Sequence, residues 1–344
     1  MARVTREFMP DAGDAGAAEP SIVVGVGASA GGVEAASTLV AGLPADFPGA
    51  IVVAIHTAST RPSALARILA RAGHLPAIAP MEPAPLLAGR IYVSPPGRHL
   101  LVAPGQVVPS GGPRENGHRP AVDPMFRTMA DAYAERAVGV VLSGARDDGT
   151  AGLHCIKQRG GLAFVQDPAE CMFDGMPASA VAHVDVDGVL PVADLAQTIA
   201  RLGGTSPVHP PTPNRMAITG NGPESEDAAT RFTCPDCGGV LHAHHEGAVD
   251  QYRCSVGHQY SPDSLDGEHA RMTEFALWAA TRALDDRAAL LEDMRRRAER
   301  HGHNFNARMF AERSAAAKRH SDTLRKLAEQ VATDQPSVGD VEAS

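Results

Sequence analysis

The sequence predicts an α/β fold built on a doubly wound, mostly parallel sheet, followed by a small Cys/His segment and a C-terminal α-helical hairpin. Three observations carry that expectation. Short β-branched runs alternate with helical stretches from Ser21 to Gly204. Three cysteines crowd between Cys234 and Cys254, with His258 four residues beyond the last. Apolar residues recur every seven positions beyond 266.

Taken in order, residues 1–19 are rich in Gly, Ala and Asp and read as a flexible tail. SIVVGVGASAGG is a β-branched run ending in small residues, and VEAASTLVAGL after it has helical spacing, so strand, Gly-rich turn and helix follow one another. The alternation continues with a strand at IVVAIH (51–56), a helix at SALARILARAG (63–73) and short strands around AGRIYVSP (88–95) and HLLVAP (99–104). A helix at VDPMFRTMADAYA (122–134) precedes a strand at AVGVVLSG (137–144). LAFVQ (162–166) and VDVDGVLPV (184–192) supply further strands and VADLAQTIARL a closing helix, so the first domain spans 20–204. Residues 205–230 lack periodicity and are rich in Pro, Gly, Ser, Thr and Asn, the composition of a linker. The Cys/His segment occupies 231–265. Leu277, Leu284 and Leu291, then Phe310, Ala317, Leu324 and Val331, lie on either side of HGHNFN (301–306). They predict two amphipathic helices over 266–333, before a flexible tail at 334–344.

Composition narrows the function. The 344 residues are 44% hydrophobic and 21% charged, enough for a full core. With 34 Gly and 27 Pro but only 4% aromatic residues, the chain packs with Ala and Val, and a base-stacking platform for nucleic acid is disfavoured. Lys and Arg number 31 against 40 Asp and Glu, a net charge of −9 that repels phosphate backbones and anionic membranes. Of five cysteines, Cys155 and Cys171 stand alone, which is not how a secreted disulfide framework is written and fits a reducing compartment. The N-terminus has no apolar core of signal-peptide length, and apolar runs such as AVGVVL (137–142) fall far short of the ~20 residues that span a bilayer. The expectation is a cytoplasmic chain with no nucleic-acid partner and no membrane insertion.

Gly27-Ala28-Ser29-Ala30-Gly31 matches G-x-S-x-G, where small neighbours let a strand-to-helix turn push a serine hydroxyl out at the top of a sheet. Helix-start N–H groups beside it favour an oxyanion. The same letters from Gly25 to Ala30 also satisfy the dinucleotide fingerprint G-x-G-x-x-A. A dinucleotide site calls for an acidic residue at the end of the next strand, whereas IVVAIH ends in His56, a general base, and this favours the serine. The third group of such a relay lies in VLSGARDDG, where a buried-looking strand empties into Asp147 and Asp148, and the spacing does not choose between them. The chain order Ser, His, Asp departs from that of α/β-hydrolases and disfavours an ordinary lipase or esterase fold.

VVGVGASAGGVEA, VVAIHTAS, GRIYVSPPGRHLLV, HRPAVDPMF, GVVLSGARDDGTAGL and FVQDPAECMFDGMPASA occur in this order over about 20–200. In this register they resemble the catalytic domain of the CheB-type chemotaxis protein-glutamate methylesterases. The resemblance implies a doubly wound α/β hydrolase of glutamate γ-methyl esters on chemoreceptor-like signalling proteins, and in some members a protein-glutamine deamidase. Carried across, the catalytic triad falls on Ser29, His56 and Asp148, with Asp147 at a variable position. The hydroxyl residue usual after the nucleophile is Ala30 here, and the Met-Gly of the strand-end loop is Ala145-Arg146. Backbone N–H groups at Ala30 and Ala145 are the expected oxyanion donors, and the chemistry needs no cofactor. Arg98, His99, His118 and Arg119 fall in matching segments and are candidate substrate contacts. Cys171 reads as packing.

Cys234-Pro-Asp-Cys237 and Cys254-Ser-Val-Gly-His258 form two knuckles that suit tetrahedral Zn²⁺, three thiolates and an imidazole leaving no open position. The expected site is a structural zinc ribbon whose metal supplies folding free energy. In the hairpin, Lys/Arg and Asp/Glu are interspersed as on solvated helix faces, so ribbon and hairpin read as a module for a regulatory protein or for self-association. FTCPDCGGVL and YRCSVGHQYSPDSL resemble tails on stand-alone relatives of these methylesterases. The family's usual N-terminal receiver is not expected in the short segment before the catalytic domain, so control is expected from an open site or from the C-terminal module. The rival expectation is a non-catalytic scaffold that keeps the esterase fold for protein binding, motivated by Ala30, Ala145 and Arg146.

Overall fold

The computed structural model describes residues 18–56, 63–204, 228–246 and 249–334. Most of the expected linker, nearly all of the N-terminal tail and most of the C-terminal tail lie outside the described residues. Residues up to Leu265 form one compact unit and those from Asp266 onward a second.

In chain order the first unit contains β1 (Val23–Ala28), α1 (Gly32–Ala41), β2 (Ala50–Ile55), α2 (Leu65–Ala72), β3 (Ala77–Ile78), β4 (Ala84–Pro85), β5 (Arg90–Val93), β6 (His99–Ala103) and β7 (Gln106–Ser110). It continues with α3 (Asp123–Tyr133), β8 (Ala137–Val141), α4 (Thr150–Gln158), β9 (Leu162–Gln166), α5 (Gly175–His183), β10 (Gly188–Leu190) and α6 (Val192–Gly204). Seven strands form one sheet in the order β10-β9-β8-β1-β2-β5-β3, every neighbouring pair parallel. This is the doubly wound architecture expected from the sequence. The central strands are buried along their whole length, so they are written as unbroken Val, Ile, Ala and Gly runs.

Strand residues alternate between two cores. Val24, Val26, Ile51 and Val53 pack with Leu39 of α1, Leu69 of α2 and Leu195 of α6. Val23, Val52 and Val141 pack on the other face with Phe126 and Met129 of α3, Leu153 of α4 and Met176 of α5. From β1 the chain builds outward through β2 to β5 and β3, then returns to β8 on the other side of β1. The order therefore reverses between β1 and β8, and the region beyond the C-terminal ends at such a reversal is where sheets of this kind collect ligands. Ser29 follows β1 and Asp148 follows β8.

The structure also corrects details. β3, β4, β7, α4 and α5 were not separately expected, and β10 is shorter than the 184–192 run. β4, β7 and β6 form a separate antiparallel sheet. α4 and α5, written TAGLHCIKQ and GMPASAVAH, have too few large apolar residues to show a helical stripe.

The Cys/His segment is an antiparallel sheet of β11 (Ala228–Thr233), β12 (Val240–Glu246), β13 (Val249–Cys254) and β14 (Gln259–Tyr260). Among the described residues its core cluster is Cys234, Leu241, Cys254, Tyr260 and Leu265, with Phe232 and Tyr252 packed against it. α7 (Pro262–Arg300) begins with proline in its first turn, and the Ser264 N–H donates to Ser261 Oγ at 3.2 Å as a cap. α8 (Asn304–Asp334) follows a break at 301–303. Between these helices Ser314 Oγ donates to the Ala288 carbonyl, and Ser321 Oγ and Arg325 donate to the Asp285 carboxylate. Phe275, Trp278 and Leu290 are exposed on the hairpin. Among the described residues, no helix is long and apolar enough to cross a membrane.

α3 lies so close to β1 that a Cβ added at Gly27 would stand 2.3 Å from Val122 Cγ1. Gly27→Ala should therefore lower unfolding free energy by about 1–3 kcal/mol through overpacking. Gly111, with open space around its Cβ position, is the control, and Gly111→Ala should change stability by less than about 0.5 kcal/mol in the same denaturant titration.

Candidate active site

After β1 the chain turns sharply through Gly31, whose φ of 72° is left-handed. A Cβ there would also meet Ser143 Oγ at 2.8 Å and Met172 Cβ at 2.9 Å. The turn is fixed by the Ser29 N–H donating to the Ser143 carbonyl and the Gly32 N–H donating to the Ser29 carbonyl, both at 3.0 Å. β1 and β2 are in parallel register with Ala28 opposite Ile55, so the next residues, Ser29 and His56, emerge side by side.

Ser29 Oγ lies 3.0 Å from His56 Nδ1, and His56 Nε2 lies 2.6 Å from Asp148 Oδ2. A neutral imidazole has one N–H. With Nε2–H donating to the carboxylate, Nδ1 keeps the lone pair that accepts the serine proton. His118 stacks on the His56 ring with centroids 3.7 Å apart.

Asp148 is 2% exposed, and its charge is satisfied by hydrogen bonds. Oδ2 also accepts the Val122 N–H at 2.7 Å, while Oδ1 accepts the Asp123 N–H at 3.2 Å and the Asn116 amide at 2.9 Å. Two of these donors are the free amides at the start of α3, a ready-made anion site. Burial alone would raise the Asp148 carboxyl. The hydrogen bond and charge of His56, the Val122 N–H and the Asn116 amide outweigh it and hold the carboxyl well below the usual carboxylate range. Asp123 goes the other way. Burial, and then the charge of Asp148, raise it well above the ordinary value, although Gly149 and Gly152 donate backbone N–H groups to Oδ1. Negative charge is thus concentrated on Asp148.

Of the adjacent aspartates, Asp148 faces His56, while Asp147 Oδ1 accepts the Ser264 hydroxyl at 2.7 Å. Burial raises the Asp147 carboxyl against the hydrogen bonds of Ser261 and Ser264. The strand-end loop runs alongside the nucleophile, since a Cβ at Gly144 would lie 2.9 Å from Ser29 Cβ. Ala145 and Arg146 come next, and Arg146 takes a left-handed φ of 63°. The Ala30 carbonyl accepts the Ser143 hydroxyl at 2.9 Å.

The candidate substrate contacts separate. His118 is at the site against His56. His99 is 3% exposed, and its ring is committed: Nε2–H donates to the Pro113 carbonyl at 2.8 Å and Nδ1 accepts the Ala121 N–H at 3.2 Å. Burial lowers its pKa against the charge of Glu115, so it is a neutral structural histidine and not a substrate contact. Arg119 Nη1 donates to the Gly111 and Gly112 carbonyls, which ties it to its own loop. Arg98 is exposed. Asn116 and Asp123 were not singled out in the sequence, although both stand in ENGHRPAVDPMF. Burial, with the charges of Asp174, Asp167 and Glu170, pushes the Cys171 thiol up to about 12, which disfavours the thiolate there.

The knuckle residues converge. The Sγ atoms of Cys234, Cys237 and Cys254 and a ring nitrogen of His258 all lie within 4.8 Å of one another. Cys237 Sγ is 3.6 Å from Cys254 Sγ, and His258 Nδ1 is 3.6 Å and 3.5 Å from Cys234 and Cys254 Sγ. Tetrahedral zinc with ordinary bond lengths separates its ligands by about 3.8 Å for S to S and about 3.6 Å for S to N, so the donor set fits that ion. A disulfide would require a sulfur separation of about 2 Å.

A family model described as CheB methylesterase matches residues 24–199. The protein-glutamate methylesterase/protein-glutamine glutaminase 2 of Anaeromyxobacter dehalogenans (strain 2CP-C) is 39% identical over 192 residues, covering 56% of this chain and 56% of that protein. A putative protein-glutamate methylesterase/protein-glutamine glutaminase of Leptospira interrogans (serovar copenhageni) is 37% identical over 183 residues, 53% of this chain and 94% of that one. The chain therefore spans about half the length of the first relative and nearly all of the second. The crystal structure of the Thermotoga maritima CheB methylesterase catalytic domain superposes with a TM-score of 0.51 at 29% identity, covering 53% of this chain and 98% of that one. The matched residues contain Ser29, His56 and Asp148 and stop short of the Cys/His knuckles, and over them this chain belongs to the CheB methylesterase family.

Proposed function

We propose that the chain is a serine-dependent protein-glutamate methylesterase, a reading carried by the continuous hydrogen-bonded line from Ser29 through His56 to Asp148. His56 Nδ1 takes the hydroxyl proton as Ser29 Oγ attacks the γ-carbonyl carbon of a glutamate methyl ester. Backbone N–H groups of Ala30 and Ala145 hold the oxyanion. The imidazolium returns its proton to the departing methoxide, and methanol leaves. Water then attacks the acyl-enzyme with the same base and releases glutamate. Asp148 remains ionised throughout, fixing the ring and stabilising its charged form. Deamidation of a glutamine follows the same steps with ammonia leaving.

The substrate is a methylated, receptor-like signalling protein. Ser29 is partly exposed, and the 70% exposed Met172 beside Gly31 offers an apolar contact for a segment lying over the turn. The scaffold reading gains nothing from this site, because binding alone requires no aligned serine, imidazole and buried carboxylate. We further assign a structural Zn²⁺ to Cys234, Cys237, Cys254 and His258, supported by the ligand spacing and by a core too small to hold the segment together unaided.

Methanol release from a γ-methyl-esterified receptor peptide tests the enzyme. Ser29→Ala should cost on the order of 10⁴-fold in kcat with little change in thermal unfolding, and wild-type rates in it would remove the proposed nucleophile; Asp148→Asn should cost a similar factor and also lower stability by about 1–3 kcal/mol, because its amide NH₂ would face donors that now bond the carboxylate. Metal analysis of the purified chain should give one zinc per molecule, and Cys237→Ser should reduce that content severalfold. A zinc-free wild-type protein with fully reactive thiols would refute the assignment.

A further inference from the structure

The Cys/His sheet and the esterase relay meet at one short turn. The Glu115 and His118 backbones pair with each other, Glu115 N–H to the His118 carbonyl at 3.2 Å and His118 N–H to the Glu115 carbonyl at 2.8 Å. Between them Asn116, with φ 51°, and Gly117, with φ 76°, reverse the chain. One side of this turn faces the relay, where Asn116 donates to Asp148 and His118 stacks on His56. Its other side is paired with β14, which follows His258 directly. Asn116 N–H donates to the Gln259 carbonyl at 2.8 Å, and Gln259 N–H donates to the Arg114 carbonyl at 3.3 Å. Glu115 also receives Arg127 of α3 through both carboxylate oxygens, at 2.7 Å and 2.6 Å.

The side chain of Asn116 makes the connection directional. Its Oδ1 accepts the Ser261 N–H at 3.0 Å, which only the oxygen end of an amide can do. That contact places the NH₂ end toward the relay, where Nδ2 donates to Asp148 Oδ1 and to Asp123 Oδ2, each at 2.9 Å. Asn116 is 1% exposed, so neither end has water as an alternative partner. Ser264 adds a second tie, from its hydroxyl to Asp147, the neighbour of the relay aspartate.

We propose that the metal knuckle is a working support of the esterase site: the ion bound by Cys254 and His258 holds β14 in place, β14 holds the 114–118 turn, and Asn116 of that turn is a positioning residue for Asp148. Loss of the metal leaves Ser29, His56 and the parallel sheet intact. It removes the ordered partner of Arg114 and Asn116, so turnover falls while substrate affinity is largely kept. The chain is an esterase whose rate reports the metal state of its own C-terminal knuckle. This inference rests on the methylesterase reading above.

The test uses the full chain, with zinc bound, then stripped by a high-affinity chelator under reducing conditions, then restored with Zn²⁺. Hydrogen–deuterium exchange of peptides covering 113–119 and ester hydrolysis are followed in each state. Stripping should speed exchange in that turn and lower kcat by roughly tenfold with KM nearly unchanged, and zinc should restore both. Asn116→Ala should lower kcat similarly in the zinc-bound protein, and stripping that variant should cost less than it costs the wild type, because the two changes break the same link. Unchanged exchange at 113–119, unchanged kcat after verified metal loss, or fully additive effects would each overturn the proposal. Failure of the esterase reading itself is separately visible as an inactive zinc-bound control.

Discussion

A carboxylate charge buried beside the mouth of a parallel sheet is the constraint that the rest of this molecule obeys. Left alone, Asp148 would take up a proton or drive the segment out toward water. It stays charged because His56, the first amides of α3 and the Asn116 side chain all donate to it. Each donor imposes a placement. α3 must start just after Val122, which requires Gly27 beneath that residue; His56 must leave β2 level with Ser29; and the turn at Asn116 must be held rigidly enough to aim an amide. The catalytic geometry follows from neutralising one charge.

The same arrangement divides labour between two aspartates in direct contact with one amide. Asp123 and Asp148 share Asn116, yet their surroundings push them in opposite directions. Asp123 receives amides from Gly149 and Gly152 and sits under the full field of its neighbour. Asp148 has the imidazole. In the proposed mechanism, concentrating the ionised form beside the ring is what would make the ring a base toward Ser29.

Much of this was legible in the sequence, for identifiable reasons. Buried parallel strands write themselves as continuous β-branched runs, and a serine between small residues at a strand end is a local signal, so the sheet, Ser29 and His56 could be read directly. The choice between Asp147 and Asp148 could not be made from spacing, because the deciding partners, Asn116 and the start of α3, lie more than twenty residues away. His99 is a candidate substrate contact because its segment matches a family motif, whereas in the structure two backbone partners hold its buried ring. The hairpin was expected on its Leu heptads. Its most buried row on α8 is instead Ala307, Ser314, Ser321 and Ala328, residues too small or too polar to register as a hydrophobic stripe. α4 and α5 escaped for a similar reason.

The pairing of Asn116 and Arg114 with Gln259 runs largely through main-chain groups. Main-chain pairing carries no side-chain code, so substitutions at Arg114 or Gln259 leave those bonds available. A connection of this kind leaves little trace in patterns of amino-acid exchange between the two segments. Related chains with unlike residues at these positions would still be wired together in the same way, and the wiring would come to light only when the backbones are seen side by side.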